Sequence, residues 1–315
     1  MLNYKPKMFE ESKKSTASEN LIVNILVFIG IFLLILLAES AIPLILSFDE
    51  IQSQINSVGT ADLHTAMEIS ARVSMKPKYL IPTLFCTAFG TLISLIYCRF
   101  SEARYISSMG VRKNKIFTHY FQGIIVGLAM MTAIVMISLI FNINNILLCT
   151  NINFALIALY FLGFFVQGMS EEFIFRGYLM NTLGGKHHTL TAVLVSAAAF
   201  SLAHLTNPGY NLLTFINLAM FGGFASLYMI CFDDIWGVCA IHSIWNFTQG
   251  SLYGISVSGT GNTESIFRTT AKTSSQILSG GDFGIEGSII TTFVLAVGIL
   301  VLFFMLRRKI QQNES

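Results

Sequence analysis

Nearly uncharged apolar runs of about 20 residues recur along this chain, the length a helix needs to cross a bilayer. One water-soluble core cannot absorb them. Of the 315 residues, 54% are hydrophobic and 11% charged, whereas soluble domains carry roughly 25% charged residues. The fold class that follows is all-α, a polytopic membrane protein with about eight transmembrane helices. The spans fall at about 21–47, 79–98, 117–141, 154–182, 190–206, 212–231, 235–253 and 288–306. A net charge of +2 gives no footprint for nucleic acid.

The organisation is a cytosolic tail over 1–20, a single transmembrane domain over 21–306 and a basic tail over 307–315. The first 19 residues are polar and carry Lys5, Lys7, Lys13 and Lys14. The apolar run after them is too long for a signal-peptide core. With the N-terminus in the cytosol, 13 lysines and arginines fall on the inner side and 5 on the outer; Arg176 lies within a span. This asymmetry places both termini in the cytosol of a multi-pass cell-membrane protein. Two outer loops are long, 48–78 and 254–287, and the second reads as a flexible connection rich in Gly, Ser and Thr. No internal repeat is visible, which argues against a transporter built from inverted halves. The five cysteines contain no CxxC pair and read as apolar thiols, not as a disulfide frame or zinc knuckle.

A few strongly polar side chains lie inside the spans, where a charge costs roughly 2.5–3.5 kcal/mol on insertion scales. Glu39, before Pro43, reads as structural; His119, beside Lys115, reads as an interface residue. Glu171, Glu172 and Arg176 stand in "SEEFIFRGYL", directly after the uncharged "FALIALYFLGFFVQGM". Glu172 and Arg176 are four apart, share a helix face and are suited to pair. Glu171 points about 100° away and needs another partner. A carboxylate beside such a pair in a dry site is a candidate general base; the alternative is that all three charges form one packing network.

Two further spans contribute polar pairs at the same spacing. "AFSLAHLTN" places Phe200 and His204 four apart; "AIHSIWNF" places His242 and Asn246 four apart. Softer groups, such as Gln167, Asn217 and Gln249, accompany them. At about 1.5 Å per residue, Glu171, His204, His242 and Asn246 lie roughly 17, 21, 10 and 16 Å from the cytosolic ends of their spans. The expected boundaries allow one layer, hence one intramembrane cavity. A carboxylate, two imidazoles and an amide match the needs of amide hydrolysis, with water activation on one side and oxyanion stabilisation on the other.

The ordered set Glu171-Glu172-x-x-x-Arg176, Phe200-x-x-x-His204 and His242-x-x-x-Asn246 resembles the three motifs of the CAAX protease and bacteriocin-processing (Abi) family. Its members are intramembrane endopeptidases related to the type II CAAX prenyl protease. The likeness covers about residues 154–253. It implies an α-helical fold with a site open to the membrane, and a peptide, lipidated protein or other membrane-associated protein as substrate. It further implies that Glu171 activates water with help from His204, and that His242 and Asn246 form an oxyanion hole. Glu172, Arg176 and Phe200 would support the site. Members are often labelled metalloproteases, and Glu171, His204 and His242 would be the zinc ligands if metal were used. None of the motifs has the HExxH spacing of soluble zinc proteases, so the expectation is no metal cofactor. The competing reading within the family is a catalytically silent immunity or scaffold protein.

Overall fold

The computed structural model describes residues 4–59, 62–261 and 264–314. A short helix α1 (Lys7–Ser12) precedes α2 (Leu21–Val58), whose first turn is capped by the Asn20 side chain accepting from Ile22 and Val23 N–H. α2 continues well past the expected end at residue 47. Its last turns are polar, and Glu50 holds them against residues 76–79 through Lys76 Nζ (2.5 Å), Lys78 Nζ (2.6 Å) and Tyr79 Oη (2.7 Å). α3 (Leu63–Ser74) starts at an Asp62 cap, and α4 (Pro77–Cys86) starts with proline at its first position, where no N–H is needed. A break at Thr87 separates α4 from α5 (Ala88–Ile96), which runs into a π turn ending at Ser101. α6 (Ile116–Ile140) leads to strand β1 (Asn144–Leu148).

α7 (Phe154–Glu172) follows an Asn153 cap, then passes into π-helix over Phe173–Met180 and into α8 (Asn181–Lys186). α9 (Thr189–Leu202) is short because the chain turns at Asn207-Pro208-Gly209. α10 (Leu212–Phe232) and α11 (Trp236–Phe247) come next, and α11 ends in a π turn over Thr248–Leu252. Strand β2 (Phe267–Ala271), a single turn α12 (Gln276–Ser279) and the long α13 (Ile289–Glu314) complete the chain.

Among the described residues, six helical stretches are long and apolar enough to cross a membrane: 21–58, 77–101, 116–140, 154–186, 212–232 and 289–312. The remaining two expected spans correspond to α9, with 14 residues, and α11, with 12. Both are enclosed by longer helices: α9 packs on α10, and α11 packs between α6 and α7. Glycines set the close approach. A Cβ on Gly168 of α7 would stand 2.5 Å from the Ser243 nitrogen of α11, so only glycine lets these two helices touch backbone to backbone. The apolar window of α2 is 17% buried and that of α10 is 61%, so α2 offers its surface to lipid while α10 belongs to the core.

One end of the bundle is basic and tightly braced. Met8 and Phe9 are fully buried, with Phe9 seated over Gly184 of α8. Arg112 joins Glu11 (2.8 Å) to Asp233 (3.0 Å), and buried Arg104 pairs with Glu102 (2.7 Å). His119, expected at the lipid interface, instead pairs with Asp234, because α6 runs beside the α10–α11 turn. Lys309 Nζ donates to the Cys231 carbonyl at 2.7 Å, and Met8 N–H donates to Asp233, so both chain ends lie at this end. All five cysteines are free, four of them buried.

The opposite end departs from a purely helical picture. β1 and β2 pair antiparallel, Asn144 opposite Ala271. The described parts of the second long loop, 254–261 and 264–287, are folded down onto the bundle, unlike the flexible connection their composition suggested; residues 262 and 263 lie outside the described residues. Gly284, at φ +96°, makes the sharp turn that aims Glu286 inward, a conformation closed to other residues.

Candidate active site

The end of α7 carries two adjacent carboxylates that face different neighbours. Glu172 and Arg176 are both fully buried and pair at 3.0 Å. The same Glu172 oxygen accepts from His242 Nδ1 at 2.8 Å. An ionised carboxylate only accepts, so the Nδ1 of His242 carries its hydrogen. The Arg176 guanidinium lies 4.5 Å from the centre of the Phe200 ring, and that ring touches both His204 (5.0 Å) and His242 (5.7 Å). Phe200 thus spaces the two imidazoles and covers the arginine, a cation–π arrangement suited to a dry site.

Glu171 faces the other way. Its Oε1 accepts from Gln167 Nε2, one turn earlier on α7. Its Oε2 is buried without a hydrogen-bond partner, 3.9 Å from His204 Nε2 and 3.7 Å from His242 Nε2. His204 lies in the turn after α9, where its Nδ1 bonds the Phe200 carbonyl at 2.9 Å. A carbonyl only accepts, so Nδ1 donates and, in the neutral ring, Nε2 is left with a lone pair. The two histidines therefore differ: His204 is anchored through Nδ1 by a backbone carbonyl, and His242 through Nδ1 by a carboxylate.

The sequence-predicted Glu171, His204, His242 and Asn246 meet around one cavity of about 190 Å³. Leu80, Leu84 and Thr87 of the α4–α5 break, Phe164 of α7 and Phe221 of α10 give it apolar walls. Val257, Ser258, Thr260 and Glu286 roof it. Glu39 does not line the cavity: its carboxylate lies against Gly90 of α5, on the same side of that glycine as Ser170 of α7.

Two residues emerge that sequence reasoning had not placed in the site. Gln167 had been noted only as a soft polar group; here it accepts from Asn246 Nδ2 at 2.8 Å while donating to Glu171. Glu286 accepts from Trp245 Nε1 (3.0 Å), Gln249 Nε2 (3.2 Å), Ser258 N–H (2.8 Å) and Ser258 Oγ (3.0 Å). It ties the roof to α11, the helix that carries His242 and Asn246. Its only trace in the sequence is one carboxylate set in "GIEGS".

Residues 152–248 match the family model "Type II CAAX prenyl endopeptidase Rce1-like". The match bears out the resemblance read from the three motifs, and it encloses all four residues around the cavity. This stretch is therefore similar to the Rce1-like family, and it lies within a mostly helical chain with helices long and apolar enough to cross a membrane. No match was found among curated proteins or among solved structures.

The cavity holds a carboxylate and two imidazoles, a donor set that suits zinc by type. Ligands 2.0–2.1 Å from a tetrahedral zinc stand about 3.3 Å apart, closer than the 3.7 and 3.9 Å found from Glu171 to the two imidazoles. Among the described residues, no group of three or more His, Cys, Asp or Glu has a geometry that holds a metal ion. The donors as arranged do not fit zinc.

Proposed function

We propose that the protein is an intramembrane endopeptidase that hydrolyses a peptide bond of a membrane-associated protein or peptide. The observation that carries this reading is the free Glu171 Oε2, buried and facing His204 Nε2 across 3.9 Å. A water lodged between them would donate to both acceptors, and its oxygen would be aimed at a substrate carbonyl. Glu171 takes the proton as the oxygen attacks, which forms the C–O bond and moves the carbonyl electrons onto oxygen. His242 Nε2–H and the second Asn246 amide hydrogen are placed to receive that oxyanion. Glu171 then returns the proton to the leaving amine as the C–N bond breaks. No metal enters any step.

The same reading assigns Glu172, Arg176 and Phe200 to support. Glu172 holds His242 by Nδ1, and Arg176 neutralises Glu172. The apolar walls suit a substrate segment that arrives from lipid, and the protein would sit in the cell membrane with both termini cytosolic. The thirteen-to-five distribution of lysine and arginine supports that orientation, as does the shared basic end of both termini.

A quenched-fluorescent library of hydrophobic single-span peptides tests the reading. Purified wild type should cleave members of it, and Glu171→Ala and His204→Ala should not. Equal cleavage by wild type and Glu171→Ala would refute it. Activity that survives exhaustive chelation, with no metal by elemental analysis, is the expected result for the cofactor; activity lost on chelation and restored by zinc would overturn the metal-free mechanism.

A further inference from the structure

We infer that Gln167 is a positioning residue of this site, a two-ended clamp that aims both the Glu171 carboxylate and the Asn246 amide. The inference rests on the peptidase reading for its consequence, but the clamp itself stands on geometry. Gln167 lies one turn before Glu171 on the same face of α7. Its Nε2 donates to Glu171 Oε1, and its Oε1 accepts from Asn246 Nδ2 at 2.8 Å.

The direction of this chain of bonds is fixed by chemistry. An amide can be turned end for end, and only its partners say which end is which. An ionised Glu171 accepts only, so Gln167 must present its nitrogen there. Its oxygen then faces α11, and Asn246 must present nitrogen to it. One ionised carboxylate on α7 thereby dictates the orientation of an amide on α11.

Both consequences fall on the reacting side of the cavity. The terminal torsion of a glutamate is broad and two-fold, so the carboxylate by itself has no preferred presentation. Anchoring Oε1 leaves Oε2 as the oxygen that faces His204 and His242. Asn246 in turn spends one hydrogen on Gln167 and keeps the other for the cavity. Without the clamp, Asn246 is free to turn its carbonyl inward, which would repel an oxyanion. A buried amide is also a costly choice at this place. The uncharged run 154–169 reads "FALIALYFLGFFVQGM", and an amide without partners would cost a few kcal/mol there. Gln167 has both partners, and both are residues of the candidate machinery.

The test is Gln167→Met, close in size and unable to make either bond. Turnover and melting are measured on the peptide library beside wild type and Glu171→Gln. The expected result is a kcat lower by about 10²-fold, the scale of removing one aligned polar group, with KM changed less than about threefold and the protein still folded at the assay temperature. Unchanged kcat, or a loss of activity that follows a loss of folded protein, would overturn the inference. A second measurement does not depend on turnover. A melting double-mutant cycle over Gln167→Met and Asn246→Ala should be non-additive, since one bond is lost in either single variant. Additive shifts would overturn the clamp. Absent cleavage by wild type with a non-additive cycle would instead fault the peptidase reading and leave the clamp standing.

Discussion

Glu171 and Glu172 are adjacent in sequence, yet the two sides of α7 they occupy differ in kind. On the Glu172 side every group is closed off. Glu172 and Arg176 have no exposed surface, and a phenylalanine ring seals the arginine. On the Glu171 side one oxygen is anchored and the other is left without a partner at the edge of a cavity. A rotation of about 100° per residue puts neighbouring side chains into separate environments. Charge alone does not distinguish a bracing residue from a reactive one. What distinguishes them is where the unpaired oxygen sits: that of Glu172 is sealed in the packed core, and that of Glu171 faces the cavity and its two imidazoles.

His204 lies on the open side. His204→Ala should lower turnover by about 10²–10⁴-fold, the usual share of a positioned acid–base group, with little change in melting. A matching fall in melting would move His204 to the closed side. Arg176 lies on the closed side, and Arg176→Met should act through stability. Removing one partner of a buried pair costs about 3–5 kcal/mol, because the other charge is left bare. A melting temperature within a degree or so of wild type would break the comparison.

The roof gives a smaller contrast. Glu286 accepts four hydrogen bonds, and Glu286→Gln turns an amide hydrogen toward donors. The expected cost is about 1–3 kcal/mol for the donor groups left unpaired, and protease nicking of 254–287 should become faster while the bundle stays folded. Nicking at the wild-type rate would mean that Glu286 does not hold the roof.

The smallest expected effect is at the basic end, far from the cavity. Burial alone would raise the Glu11 carboxyl, but hydrogen bonds from Ser107 and Arg112 outweigh it and hold it below the ordinary glutamate range. A carboxyl depressed in the folded state stabilises above its unfolded pKa, and that contribution fades as pH falls through the folded value. Wild type should therefore lose a small increment of melting temperature below the ordinary glutamate range that Glu11→Gln lacks. Parallel acid limbs in the two proteins would remove Glu11 from the bracing of α1.

Much of this comparison was legible in the sequence, because helical spacing is a local property. Glu172 to Arg176, Phe200 to His204 and His242 to Asn246 each read as a shared face, and depth counting brought three spans to one layer. Tertiary partners were less legible. Nothing local says that His119 meets Asp234, or that Gln167 reaches on from Glu171 to Asn246, since His119–Asp234 and Gln167–Asn246 join parts of the chain far apart in sequence. The roof was misread for a definite reason. Gly, Ser and Thr make flexible linkers and also tight ordered turns, and only the positive φ at Gly284, with Glu286 anchored beyond it, separates the two. The two-stranded β1–β2 ribbon was missed because five-residue strands leave little pattern between apolar helices.

The central claim, that one carboxylate works while its neighbour braces, is tested most directly by Glu171→Gln and Glu172→Gln purified side by side in the same micelles, with melting and peptide turnover read on both. The expected result is wild-type melting with no turnover for Glu171→Gln, and clearly lowered melting for Glu172→Gln. Turnover retained by Glu171→Gln, or a loss of melting temperature that falls on Glu171→Gln and spares Glu172→Gln, would contradict it.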